Sequence, residues 1–240
     1  MTLPSIDIPN FDQIVECLFN DEGTIIGVLY IDGSVRIYEA SEKSTFVFVA
    51  STQPYCRHAL CLSFASSVYG CMFAVSDDSG NISLFQRVKQ AEFQLVTNFP
   101  QHKSPINALQ FSPSGLILAA GASDGQLSLT TCEETQWNVQ IIKCSDSPIT
   151  SLSWSPPASL AFIERPVDND ACQVSVCSAD GYFHVYGRKN EWKPVCVPVQ
   201  ISDSPATAIA WRPLQGFKRI EIATASNDLK IRLWTHENHK

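Results

Sequence analysis

The stretch "SPITSLSWSP", residues 147–156, occurs twice more in near copy, as "SPINALQFSP" at 104–113 and "SPATAIAWRP" at 204–213. The copies set Pro105, Pro148 and Pro205 apart by 43 and 57 residues. A period of about 40–45 residues marks a fold assembled from one repeated unit. The second spacing is one repeat plus an insertion. That insertion is "PASLAFIERPVDNDAC" (157–172), whose prolines and acidic residues suit a surface loop.

A second signal runs in phase with the first. "IDGSVRIY" (31–38), "SDGQLSLT" (123–130) and "ADGYFHVY" (179–186) share Asp-Gly followed by alternating residues; "NDLKIRLW" (227–234) keeps the Asp alone, and "DSGNISLF" (78–85) keeps the Gly with Ser79 at the Asp position. Asp-Gly suits a tight hairpin turn, because Gly accepts positive φ and Asp bonds to nearby backbone. Turn residues are therefore assigned to Asp32, Gly33, Gly80, Asp124, Gly125, Asp180, Gly181 and Asp228.

Before each turn lies an apolar run such as "LILAAGAS", and after it a strand of period two such as "LKIRLW". With the S-P strand and a variable fourth segment, each repeat supplies four strands, and almost no helical period competes. Four-stranded units repeated about an axis make a β-propeller. The expectation is an all-β chain, one propeller domain over 1–240, with five recognisable four-stranded blades near 10–53, 54–100, 101–145, 146–201 and 202–240. Phe111, Trp154, Trp211 and Trp234 recur at set places in their blades and are assigned to blade packing.

Composition is that of a globular protein, 45% hydrophobic and 17% charged, with no run of about 18 apolar residues for a membrane span. The opening "MTLPSIDIPN" has neither the basic nor the apolar segment of a secretory signal, so the expected compartment is the cytosol. Nine cysteines, an odd number without C-x-x-C pairs, argue against a disulfide framework or a zinc ribbon. A net charge of −7 gives no long-range attraction for nucleic acid or anionic lipid. Arg212, Lys218 and Arg219 form only a local basic spot, read as a solvated turn.

Candidate chemistry is sparse. "GASDG" (121–125) fits G-x-S-x-G, but a nucleophile elbow needs a helix after the Ser, and here "QLSLTT" alternates as a strand. The pairs Cys56/Cys61 and Cys172/Cys177 are too widely spaced for a usual zinc site, and His236 and His239 sit in a polar tail. Asp77/Asp78, Glu133/Glu134 and Asp168/Asp170 fall in turns or loops, where nothing places them in one cleft to do acid and base work. There is no phosphate-binding or dinucleotide fingerprint. No catalytic, cofactor or metal residue is assigned, and the chain is expected not to be an enzyme.

At Phe111-Ser112-Pro113, Trp154-Ser155-Pro156 and Trp211-Arg212-Pro213 an aromatic-x-Pro closes a strand near the start of successive blades. In this the chain resembles WD-repeat (WD40) propellers, and within them the Sec-thirteen and Seh-one branch. The likeness runs from about residue 10 to 240 and is strongest in "TAIAWRPLQGFKRIEIATASNDLKIRLWT" (206–235); "NEWKPV" (190–195) resembles that family's inter-blade Trp segment, and the loop at 157–172 falls where it carries an acidic insertion. There are departures. Only the last repeat keeps the Trp after the turn, and the frequent His before the first strand appears only as His58 and His102.

The resemblance implies a non-enzymatic scaffold without cofactors. Sec-thirteen pairs with a helical-solenoid subunit, the large Sec-thirty-one-like protein, in the outer COPII vesicle coat of ER-to-Golgi transport, and with a nucleoporin in the Y complex of the nuclear pore. Seh-one works similarly, and both belong to a lysosomal growth-signalling assembly. Membrane association would be peripheral, through the coat, at the cytoplasmic face of the ER. The family's propeller is an open six-bladed ring into which the partner inserts a blade. Here no sixth blade follows "RLWTHENHK": the chain is a truncated product, or the blade comes from elsewhere, or the ring closes with five. Exposed strand edges invite pairing, so blades one and five are expected to border an opening that a partner fills. A substrate-recruiting WD40 adaptor is the alternative of a different class; it would need a ring of Arg and Lys, and none is found.

Overall fold

The computed structural model of the chain describes residues 8, 13–41, 45–113, 116–133, 136–156, 172–188, 190–213 and 220–236. The insertion at 157–172 therefore lies outside the described residues except for Cys172, as do Lys218, Arg219, Glu134, Asp168, Asp170 and His239. Two compact units divide the chain, 1–111 and 112–240, and each is described by itself.

In the first unit, β1 (Ile14–Phe19), β2 (Ile25–Tyr30), β3 (Val35–Ala40) and β4 (Phe46–Ser51) form an antiparallel meander in chain order. A second follows in β5 (Ala59–Phe64), β6 (Met72–Asp77), β7 (Asn81–Lys89) and β8 (Glu92–Pro100), and β9 (Ile106–Phe111) ends the unit. The two sheets stack through Leu29, Val35 and Ile37 of one and Ala59, Leu62, Phe73, Val75 and Phe85 of the other.

The second unit begins with β10 (Ile117–Ala122), β11 (Gln126–Glu133) and β12 (Gln136–Lys143), the remaining strands of the third repeat. The fourth sheet holds β13 (Ile149–Trp154), β14 (Gln173–Ser178), β15 (Tyr182–Arg188), β16 (Trp192–Pro194) and β17 (Val199–Gln200). Both β16 and β17 pair with β15, at its two ends, so they are one outer strand interrupted between Pro194 and Pro198, residues that offer no N–H to a ladder. The fifth sheet is β18 (Ala206–Trp211), β19 (Ile220–Ser226) and β20 (Lys230–His236), three strands among the described residues.

Burial follows strand position. The second strands β6 and β10 are buried at every residue, as a sheet covered on both faces requires, whereas the outer strand β8 alternates between exposed and half-buried. This is why "ILAAGA" reads as one continuous apolar run. Its small residues serve close stacking: a Cβ at Gly121 would stand 2.4 Å from Ile149 Cγ2.

Stacked sheets are also pinned by polar side chains of each innermost strand that bond to the backbone of the next. In the first unit Glu16 accepts from the Leu62 N–H at 2.6 Å and Ser63 Oγ from the Phe111 N–H at 2.9 Å. In the second unit Thr150 Oγ1 donates to the Ala206 carbonyl at 2.8 Å, while Ser151 and Ser153 accept from the Ile209 and Trp211 N–H groups at 3.3 and 3.1 Å. Three of the hydroxyl residues in "SPITSLSWSP", Thr150, Ser151 and Ser153, thus fix the register of the neighbouring sheet.

Candidate interaction surface

The turns come first, because they carry most of the polar residues singled out from sequence. Asp180 accepts from Ser145 Oγ at 2.6 Å, Ser178 Oγ at 2.5 Å and the Tyr182 N–H at 3.1 Å. Burial alone would raise its pKa, but these bonds, with His184 nearby, outweigh it and hold the carboxyl below its ordinary value. Asp228 is held by Ser226, by both terminal nitrogens of Arg232 and by the Lys230 N–H. Asp32 takes the Ser34 N–H and hydroxyl, and Asp124 takes the Gln126 N–H. In the second sheet the carboxylate belongs to Asp77, two residues before Ser79, and it accepts from the Ser79 and Asn81 N–H groups. Asp77 aligns with Ser178 and Ser79 with Asp180, so this repeat has exchanged its aspartate and serine while keeping the capped turn. These carboxylates are engaged in structure.

Because the folded pKa of Asp180 lies below the unfolded one, its stabilising effect is complete above the ordinary carboxylate range and is lost as pH falls through the folded value. Asp180→Asn is expected to lose about 1 kcal/mol at pH 7, a loss of modest size for a partly open carboxylate. Its deficit against the parent should shrink as acid is added below about pH 4, which urea titrations at several pH values will check.

The packing aromatics have distinct surroundings. Trp154 is buried and meets the edge of Trp192, from its own sheet, with centroids 5.6 Å apart. The Trp192 N–H and carbonyl are both bonded at 3.0 Å by the side-chain amide of Gln140 on β12, which acts there as a short piece of strand. Trp234 donates its indole N–H to Thr224 and packs on Phe183, and Trp211 joins Ile209 and Ile222 in the core between sheets four and five. Phe111 is buried.

Among the described residues reactive chemistry is not assembled. Ser123 of "GASDG" stands between two strands, β10 and β11, so no helix follows it. Among the described residues no three His, Cys, Asp or Glu side chains come together as a metal cluster. Burial pushes the thiols away from the reactive thiolate, Cys61 to about 12 and Cys56 and Cys144 to about 11. No helix among the described residues is long and apolar enough to cross a membrane.

The surface that stands out is one face of the fifth sheet. Its two cross-strand rows are Ala208, Ala225, Ile231 and Ala210, Ala223, Leu233. Ile231 is 77% and Leu233 72% exposed, Leu229 in the adjoining turn 97%, and Ala208 and Ala210 are exposed. At one end of the face Arg212 and Glu221 neutralise each other in an ion pair. The opposite face, with Ile209, Ile222 and Trp234, is buried on the fourth sheet. In the first unit β1 also leaves Val15, Cys17 and Phe19 exposed along one face. These apolar residues were not picked out from sequence, yet a signal was present: the pinning serines Ser151 and Ser153 align with Ala208 and Ala210.

Antiparallel meanders, stacked face to face within each unit, with Asp-capped turns and an aromatic-x-Pro at the first strand, have the build of WD40-type β-propeller blades. The WD40 domain model of anaphase-promoting complex subunit 4 matches residues 72–156. Over most of its length the chain is similar to Sec-thirteen proteins: it is 23% identical over 242 residues to the "Protein SEC13 homolog" of Drosophila melanogaster, covering 97% of this chain and 67% of that protein. It is 22% identical over 220 residues to the "Protein transport protein sec13" of Aspergillus fumigatus, covering 86% and 71%. A shorter likeness, 24% over 164 residues, joins it to the "Protein transport protein SEC31" of Chaetomium globosum, covering 67% of this chain and 12% of that one.

Proposed function

We propose that this chain is a non-enzymatic scaffold subunit of the outer COPII vesicle coat, acting in ER-to-Golgi transport on the cytoplasmic face of the ER. Its partner in this reading is a helical-solenoid coat subunit that adds a β-sheet to the propeller, and its membrane association is peripheral, through the coat. The observation that carries the proposal is the open apolar face of the fifth sheet in a chain similar to transport proteins over nearly its whole length. An exposed apolar sheet whose outer strand has no further partner among the described residues is the feature that strand or sheet addition uses. Deeply protonated thiols and carboxylates committed to turns support a structural role over a catalytic one.

A nuclear pore role, in the Y complex or a Seh-one-like growth-signalling assembly, uses the same kind of partner, and one experiment separates the destinations. Capture of tagged protein followed by mass spectrometry is expected to recover a large coat subunit. Recovery of nucleoporins alone moves the protein to the pore, and recovery of neither coat nor pore subunits overturns the proposal.

A further inference from the structure

We infer that His184 is a proton-operated release for the seam between the third and fourth sheets: the neutral imidazole leaves the bond from Ser145 to Asp180 in place, and the imidazolium breaks it. The inference rests on this seam alone and holds whether or not the coat reading does.

His184 lies on β15 with its ring stacked parallel on Tyr186, centroids 6.3 Å apart, and its Nε2 is buried without a hydrogen-bond partner. A neutral ring tolerates this, because with the proton on Nδ1 the bare Nε2 forfeits only an acceptor site. A protonated ring carries a charged N–H at the same atom, and burying that without an acceptor costs far more. The charge it feels is that of Asp180.

The fifth sheet shows what a cation does at this place. Arg232 stands four residues after Asp228, as His184 stands four after Asp180. Its Nη2 donates to Oδ2 of Asp228 at 2.5 Å, while Oδ1 accepts from Ser226 and the Lys230 N–H. In the fourth sheet Oδ1 of Asp180 likewise accepts from Ser178 and the Tyr182 N–H, but Oδ2 is held by Ser145 Oγ at 2.6 Å. The oxygen that serves the cation in one repeat thus serves the connection from the third sheet in the other. Ser145 Oγ also accepts the Ser147 N–H at 2.9 Å, so this hydroxyl orders the segment leading into β13. An imidazolium drawn to Oδ2 displaces it and frees the segment from the turn.

The surroundings leave the charge change to His184. Its cross-strand partner on β14 is Val176, and from the third sheet β11 presents the buried Leu127 and Leu129. Cys144 reaches Tyr186 from the end of β12; burial pushes its thiol up to about 11 and holds Tyr186 above its ordinary range, so both stay neutral in mild acid. Lys143 and Asp146 pair with each other in the open, and Arg188 lines a cleft with Asn138 and Trp192 at the far end of β15. Burial lowers the His184 pKa from 6.5, and the Asp180 charge opposes this without cancelling it. With the folded value below the unfolded one, the seam keeps its full stability above pH 6.5 and weakens as pH falls from there towards the folded value.

Amide hydrogen exchange over residues 144–149 at about pH 7.5 and 5.5, corrected for the intrinsic rate, tests this. Protection of this segment in the parent is expected to fall about 10-fold between the two. His184→Gln stays neutral and should keep its protection at both, whereas Ser145→Ala lacks the hydroxyl and should be open at both. His184→Arg carries its charge permanently and should be open already at about pH 7.5. Circular-dichroism melts at that pH show which variants are folded, and His184→Gln, the mildest change, decides the matter if another is not. Unchanged protection in the parent, a full acid response retained by His184→Gln, or a loss spread evenly over the whole chain overturns the inference.

Discussion

Gly125→Ala is expected to destabilise the second unit by about 3–5 kcal/mol, an unusually large loss for one added methyl group. Gly125 has φ +75°, where an L side chain costs about 1–2 kcal/mol. The larger part is steric: the new Cβ would stand 2.0 Å from the Ser145 carbonyl oxygen and 2.8 Å from that of Ser147, both backbone atoms. The segment 144–147 cannot retreat cheaply, because the Cys144 and Ser145 N–H groups both donate to the Gly125 carbonyl and Ser145 Oγ holds Asp180. Leu229 supplies the contrast. It is the equivalent turn residue of the fifth sheet, at φ +63° with its side chain 97% exposed. Leu229→Gly removes the left-handed penalty at the cost of backbone entropy, for a net gain of about 0.5–1 kcal/mol. Urea unfolding followed by fluorescence will measure both; a loss below about 1 kcal/mol for Gly125→Ala would contradict the crowding argument.

The contrast also shows what was legible in the sequence. Repeat spacing, Asp-Gly turns and period-two strands are local properties, so the all-β blade architecture could be read from "SPITSLSWSP" and its copies. Gly80 and Gly181 share the crowding seen at Gly125, each facing the carbonyl of the segment that leads to the next repeat, His102 and Ser202. Only the turn itself can be read from Asp-Gly; the approaching carbonyl comes from about 20 residues away. The exchange of Asp77 and Ser79 escaped the motif for a similar reason, since either position lets a carboxylate reach the turn N–H groups. The candidate surface was hidden more deeply. "ATAIAW" resembles any inner strand, and its alanines become informative only when Ser151 and Ser153 are seen to pin the following sheet. What marks the face is the replacement of two hydroxyl acceptors by alanine, with Thr207 kept at the position of Thr150, which no alternation of apolar residues reports.

Trp154→Ala is expected to cost about 3–5 kcal/mol, the usual loss for a buried indole whose cavity cannot collapse. The size of the cavity is only part of the reason. Trp154 props Trp192, and the Trp192 backbone is the partner of the Gln140 amide, so β13, β16 and β12 are linked through one short segment. Because β16 has only three residues and the ladder continues past Pro194 by one bond, from the Val195 N–H to the Val185 carbonyl, this outer strand has little pairing of its own to keep it in place. Gln140→Ala leaves the Trp192 N–H and carbonyl without those bonds and should cost about 1–2 kcal/mol. The two changes share a partner and therefore will not add: once Trp154 is gone and the segment has shifted, the Gln140 bonds are already weakened. The double variant should fall short of the summed losses by about 0.5–1.5 kcal/mol. Strict additivity in a double-mutant cycle would show that Trp154 fills space without positioning β16.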